Sequence, residues 1–149
     1  MLKFIIASHG NLASGFKSSV GIIMGEEVAS KLTAINAFTD VKDPKTTIQS
    51  MVDDLGESDQ MIIFSDWMNG SVNQICTPHV SNGKVFVISG SNLPILCEVL
   101  GELAYVDQMV DEDSLRSAVN RAKDEVVYVN DRFNSSGNED SLTDEDDFF

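Results

Sequence analysis

The chain has few of the residues that build stapled or metal-bound scaffolds. Its 149 residues include two cysteines, Cys76 and Cys97, with no CxxC and no His/Cys cluster. That pattern argues against a disulfide framework or a structural zinc site, and for reduced, partly buried thiols of a cytoplasmic protein. No apolar run approaches the ~18–20 residues of a membrane span. The opening run from Met1 to Ala7 is too short, and too soon followed by polar residues, to read as a signal peptide. Bases are also scarce. Ten Lys and Arg against twenty-four Asp and Glu give a formal charge of −14, so a phosphate backbone or an anionic membrane surface would repel this chain at long range. Nucleic acid is therefore not an expected partner.

What is present suits one domain of ordinary size. A hydrophobic fraction of 42% supports a packed core without staples. The last twelve residues, 138–149, hold six acidic residues and no base. They offer too little apolar area to offset the entropy of ordering them, so residues 134–149 are expected to be a disordered acidic tail behind a domain of residues 1–133.

Within the domain, short apolar runs alternate with helical patterns. Strands are predicted at Leu2–Ala7, Leu32–Phe38, Gln60–Ser65 and Val85–Ile88. Between them Leu12, Phe16, Val20 and Ile23 recur at three- and four-residue steps up to Gly25. Asp43-Pro44 offers an N-cap with proline at the first helical position, a short helix is expected from Val72 to about His79, and Pro94 begins another helix. Asp113-Ser114 can cap a last helix through Lys123. Strand–helix alternation in units of about thirty residues, with strands that are continuously apolar, predicts an α/β fold: an open doubly wound sheet of four parallel strands with helices on both faces. Val126–Val129 follows the last helix too closely for another parallel crossover. It is expected as an antiparallel edge strand, exchanged with a second subunit in a homodimer.

In such a fold the crevice lies beyond the carboxyl ends of the strands, at the switch point of strand order. Three predicted strand ends deliver polar residues there: Ser8-His9-Gly10, then Asp66 with Asn69-Gly70-Ser71, then Ser89-Gly90-Ser91-Asn92. His9 is one of only two histidines and falls at the most favourable position for chemistry. A carboxylate on one ring nitrogen, Asp66, would fix the tautomer and leave the other nitrogen to attack. Backbone amides of a Gly-Ser turn suit a phosphoryl group. The set fits phosphoryl transfer through a phosphohistidine, and it requires no metal and no cofactor.

Ile6–Ala13, Phe64–Ser71 and Ser89–Leu96 resemble, in order and spacing, the three signature segments of the mannose-family IIA component of the bacterial sugar phosphotransferase system. The likeness runs from Leu2 to about Phe133. It implies that His9 is the phosphorylated histidine, Asp66 its orienting carboxylate, and Gly70 and Ser71 the phosphate-binding turn. Ser8, Gly10, Trp67, Met68, Asn69, Asn92 and Pro94 would border the crevice or face partners. The turn departs from the family pattern, with Asn69 where a glycine is usual and Val72 where a proline is usual. Asn tolerates a left-handed backbone better than most residues, so the turn is expected to survive. The resemblance further implies a phosphotransferase that accepts phosphate from the carrier HPr and passes it to a IIB domain, which phosphorylates a hexose-type sugar entering through a IIC/IID membrane permease.

Rival readings are weighed on the same residues. A phosphocarrier subunit of a dihydroxyacetone kinase shares the fold and the strand-one histidine, and a regulatory binding module of the same fold is the blandest alternative. A response-regulator receiver needs paired acids where Ser8-His9 stands. A hydrolase triad of Ser71, His9 and Asp66 lacks both the G-x-S-x-G elbow and the chain order of that fold.

Overall fold

The computed structural model describes residues 1–81, 83–107 and 109–136, with side chains through 133. Four strands, β1 (Leu2–His9), β2 (Leu32–Ala37), β3 (Gln60–Ser65) and β4 (Val85–Ser89), form one parallel sheet in the order β2-β1-β3-β4. The doubly wound parallel sheet expected from the strand–helix alternation is the architecture observed. β1 and β3 are interior strands, which is why they read as continuous apolar runs. Phe4, Ile6, Ile62 and Phe64 pack into one core cluster, while the alternate residues Ile5, Ala7, Met61 and Ile63 pack into the other.

Helices α1 (Leu12–Met24), α2 (Glu26–Lys31), α5 (Leu93–Leu103) and α6 (Glu112–Asp124) cover the first face. Helices α3 (Pro44–Asp53) and α4 (Ser71–Cys76) cover the second. Each fully buried Ile, Leu or Phe in these layers contributes on the order of 1.5–3 kcal/mol by leaving water. Local signals set several of the boundaries. The Asp43 carboxylate accepts from the Thr46 amide at 3.1 Å ahead of Pro44, and Asn92 caps α5 the same way through Ile95 at 2.9 Å. Gly25, at φ 94, ends α1 as expected. It also opens α2, a helix that the sequence pattern did not disclose; α2 carries Glu26 and Glu27 in its first turn and Lys31 in its last, complementing its dipole. The cap of α6 is Asp111 rather than Asp113-Ser114, with its carboxylate accepting from both of their amides.

The C-terminal segment departs from expectation. Residues 126–128 form no strand within this chain, and Val129–Ser136 is a helix, α7. A strand exists only through its ladder, and within one chain this segment pairs with neither outer strand, β2 nor β4. Its backbone turns to local bonding instead, as in Asp131 N–H to the Tyr128 carbonyl at 3.1 Å. The expected tail therefore begins as the end of α7, and its residues from 137 onward lie outside the described residues. Among the described residues no helix is long and apolar enough to cross a membrane.

Candidate functional site

The sheet order assembles the site. β1 lies between β2 and β3, so the switch point falls between β1 and β3, and their registers bring Ala7 opposite Ser65 and Ser65 opposite Ser89. His9 at the end of β1 and Asp66 just past the end of β3 therefore meet across that point, although they lie 57 residues apart in the chain.

Asp66 Oδ2 lies 2.5 Å from His9 Nδ1 and also accepts the His9 backbone N–H at 2.9 Å. Its other oxygen accepts the Trp67 N–H at 3.0 Å. An ionised carboxylate only accepts, so Nδ1 is the protonated nitrogen and donates to it. In the neutral ring Nε2 is then the nitrogen that carries the lone pair, and it faces Ser71 Oγ at 2.6 Å. Burial works against ionising Asp66. The amide of His9, its ring and the amide of Trp67 together outweigh that burial and hold the carboxyl below its ordinary value of 3.8. The Asp66 side chain is 11% exposed and the His9 side chain 43%, so the support is shielded while the reacting ring is open.

The turn after β3 is built to hold Ser71 in place. Asn69 takes the left-handed conformation at φ 65, as expected of an asparagine in that position. Its N–H donates to Asn73 Oδ1 at 3.1 Å, and Asn73 Nδ2 donates to the buried Ser65 Oγ at 3.0 Å. Gln74 Nε2 donates to the Asn69 carbonyl at 2.9 Å. Gly70 leaves room for the Trp67 ring in its present position: a Cβ there would sit 1.9 Å from Trp67 Nε1, so the exposed ring would have to move. The first amides of α4 precede its first i→i−4 bond, from Gln74 N–H to the Gly70 carbonyl. Val72, in place of the usual proline, is fully buried in the second core cluster.

The structure brings His9, Asp66, Gly70 and Ser71 together and places the exposed Trp67 and Met68 beside them. Gly10, at φ 59, ties the ends of β1 and β2 through its N–H to the Ala37 carbonyl at 3.1 Å. Asn92 and Pro94 stand at the start of α5, where the Asn92 side-chain oxygen is taken up in capping the helix through the Ile95 N–H. Ser8 is a correction. It is fully buried, because strand alternation turns it to the sheet face opposite His9. Three residues that the sequence did not single out as site residues shape the site. Asn73 and Asn36 are buried amides that organise the two flanking turns, and Phe38 packs its ring against His9. A polar residue inside a predicted strand or helix was the only available signal for the first two. Cys76 is a packing residue, as expected: burial, with the nearby Asp66 charge, pushes its thiol up to about 12. Among the described residues no group of His, Cys, Asp and Glu is arranged to hold a metal ion.

Comparison with known proteins places the chain in a family and beside solved structures of the same fold. A family model described as EIIA-man, "PTS system fructose IIA component", matches residues 3–129. Among solved structures, the chain is similar to a Klebsiella pneumoniae protein provisionally named a phosphoenolpyruvate-dependent sugar phosphotransferase system permease. The TM-score is 0.76 and the identity 26%, over 89% of this chain and 93% of that one. It is also similar to phosphotransferase system component EIIA from Streptococcus agalactiae, with a TM-score of 0.71 and 23% identity over 88% and 99% of the two chains. The mannose/sorbose-specific IIA subunit from Enterococcus faecalis follows, with a TM-score of 0.67 and 16% identity over 85% and 92%. The last two, below a quarter identity, bear on the fold alone.

Proposed function

The chain belongs to the EIIA-man family of sugar phosphotransferase system components, and from that premise we propose that it is a phosphoryl carrier working through His9. In this reading Nε2 attacks the phosphorus of phospho-HPr. The donor's N–P bond breaks as the bond to Nε2 forms, and the group later passes to a IIB domain by the reverse of the same step. The observation that carries the reading is the His9 ring itself, held at Nδ1 by Asp66 and open at Nε2 beside Ser71. As phosphorus arrives, positive charge develops on the ring and the Asp66 carboxylate stabilises it. The Ser71 hydroxyl turns from Nε2 to an oxygen of the incoming phosphoryl group. Geometry and electrostatics supply the catalysis.

The sugar, of hexose type, is phosphorylated downstream of this chain, at a IIB domain that serves a IIC/IID permease. The chain itself works in the cytoplasm. Its charge of −14 would steer basic partner surfaces toward it.

The same reading includes a homodimer. β4 is an outer strand, and a groove lined by Phe86, Ile88, Leu115 and Val119 runs beside it along α6. The chain leaves α6 directly into Val126, Val127, Tyr128 and Val129, all exposed. Exchange of that segment onto the β4 edge of a second copy would satisfy both surfaces.

His9→Ala tests the core of the proposal. The variant is expected to fold and to take no label from phospho-HPr, while the wild type takes an acid-labile, base-stable label. Full labelling of His9→Ala, on His79 or elsewhere, refutes the mechanism.

A further inference from the structure

The residue after β2 stands in a backbone conformation that its own side chain disfavours. Phe38 has φ 67, the left-handed region that bulky L-residues avoid. Core burial does not account for this, because the side chain is 47% exposed. The surrounding turn imposes it. Phe38 N–H donates to the Val41 carbonyl at 2.9 Å, and the Asn36 carbonyl accepts from Val41 N–H at 3.1 Å and from Thr39 Oγ1 at 3.1 Å. The Asn36 side chain, itself buried, accepts the Ser14 N–H at 3.0 Å and donates to Ser14 Oγ at 3.1 Å and to Asp40 Oδ2 at 2.8 Å. The result is a ring centroid 5.6 Å from that of the His9 imidazole, with the planes 42° apart.

Strain that is over-determined by its surroundings and aimed at a reacting group is a signature of function. Asp66 and Ser71 hold His9 through its two ring nitrogens, which restrains the ring within its own plane. Phe38 adds a contact to the ring itself, tilted by 42° to its plane. We infer that Phe38 is a positioning residue for the carrier: it walls one face of the His9 ring, keeps the ring in line with Asp66 and Ser71, and shields phosphohistidine from water on that side. The inference rests on the phosphocarrier reading. Water attacking phosphorus would break the Nε2–P bond and release inorganic phosphate and free His9, so the shield preserves the group for the next carrier.

The test uses the full chain with His79→Gln, which leaves His9 the one imidazole, and phosphoramidate as donor. The N–P bond of phosphoramidate breaks as the Nε2–P bond forms, and ammonia leaves. Phosphorus NMR then follows loss of the phosphohistidine signal. Phe38→Gly, whose residue adopts this φ freely, is expected to melt close to the parent. Its phosphohistidine should nonetheless hydrolyse roughly 3- to 10-fold faster, the factor an aromatic contact supplies, and Phe38→Tyr should restore the parent rate. A Phe38→Gly half-life within about twofold of the parent, or failure of Phe38→Tyr to restore it, overturns the inference. Should Phe38→Gly unfold, Phe38→Leu against Phe38→Tyr makes the same comparison, since both keep the strain and only one keeps the ring. A parent protein that takes no label on His9 overturns the phosphocarrier reading instead.

Discussion

Replacing Asp66 by Asn isolates what the carboxylate does for His9. In the wild type Oδ2 accepts both the ring Nδ1–H at 2.5 Å and the His9 amide at 2.9 Å, while Oδ1 accepts the Trp67 amide at 3.0 Å. Asn retains one acceptor. If its oxygen stays on His9, its NH2 group faces the Trp67 N–H, donor against donor. If it flips, both His9 bonds fail. A hydrogen bond to a charged group is worth about 1.5–3 kcal/mol, against about 0.5–1.5 kcal/mol for a neutral one. The bond that strengthens as the ring becomes cationic is the Nδ1 bond, so its loss falls on the transition state. At about 1.4 kcal/mol per factor of ten, the difference of about 1–1.5 kcal/mol slows transfer by about 5- to 12-fold if the Asn oxygen stays on His9, and complete loss in the flipped orientation slows it by up to about 150-fold. Rapid-quench transfer from phospho-HPr measures this, and His9 should still label fully at long times. The same carboxyl has a folded-state pKa below 3.8. Its contribution to stability is therefore fully present above the ordinary value and is lost as pH falls through the lower folded one. The difference in Tm between wild type and Asp66→Asn should be flat above pH 3.8 and shrink below it. Transfer rates within about twofold of wild type, or a Tm gap that widens in acid, would refute the argument.

Two further perturbations test neighbouring parts of the structure. Gly70→Ala places a methyl where the Trp67 ring now lies, and Trp67 is the one tryptophan and 65% exposed. The ring can swing outward, so stability should change by less than about 1 kcal/mol while the fluorescence maximum shifts and transfer slows; an unchanged emission spectrum would contradict the packing described. For the dimer, light scattering should find wild type and a truncation after Asn134 dimeric at tens of micromolar, and a truncation after Lys123 monomeric or aggregated. A monomeric wild type would end that proposal.

Much of the fold was legible because its signals are local. Apolar runs of strand length, bounded by turn residues, marked β1 to β4. Caps such as Asp43-Pro44 and Asn92 act within a few residues, and so they can be read without tertiary knowledge. The same locality placed His9 and Asp66 at strand ends, where a parallel sheet gathers side chains. What depended on three dimensions was left to the folded chain. Propensity favoured a strand over Val126–Val129, but propensity cannot provide the second edge that a ladder needs, and within one chain the segment bonds locally instead. Ser8 follows the same strand as His9 into opposite surroundings, because alternation sends neighbours to different faces. The left-handed turn at Phe38 has no marker in composition. It arises because Asn36, Ser14 and Asp40 converge from separate positions to bond one another, and that convergence sets an aromatic ring against the histidine.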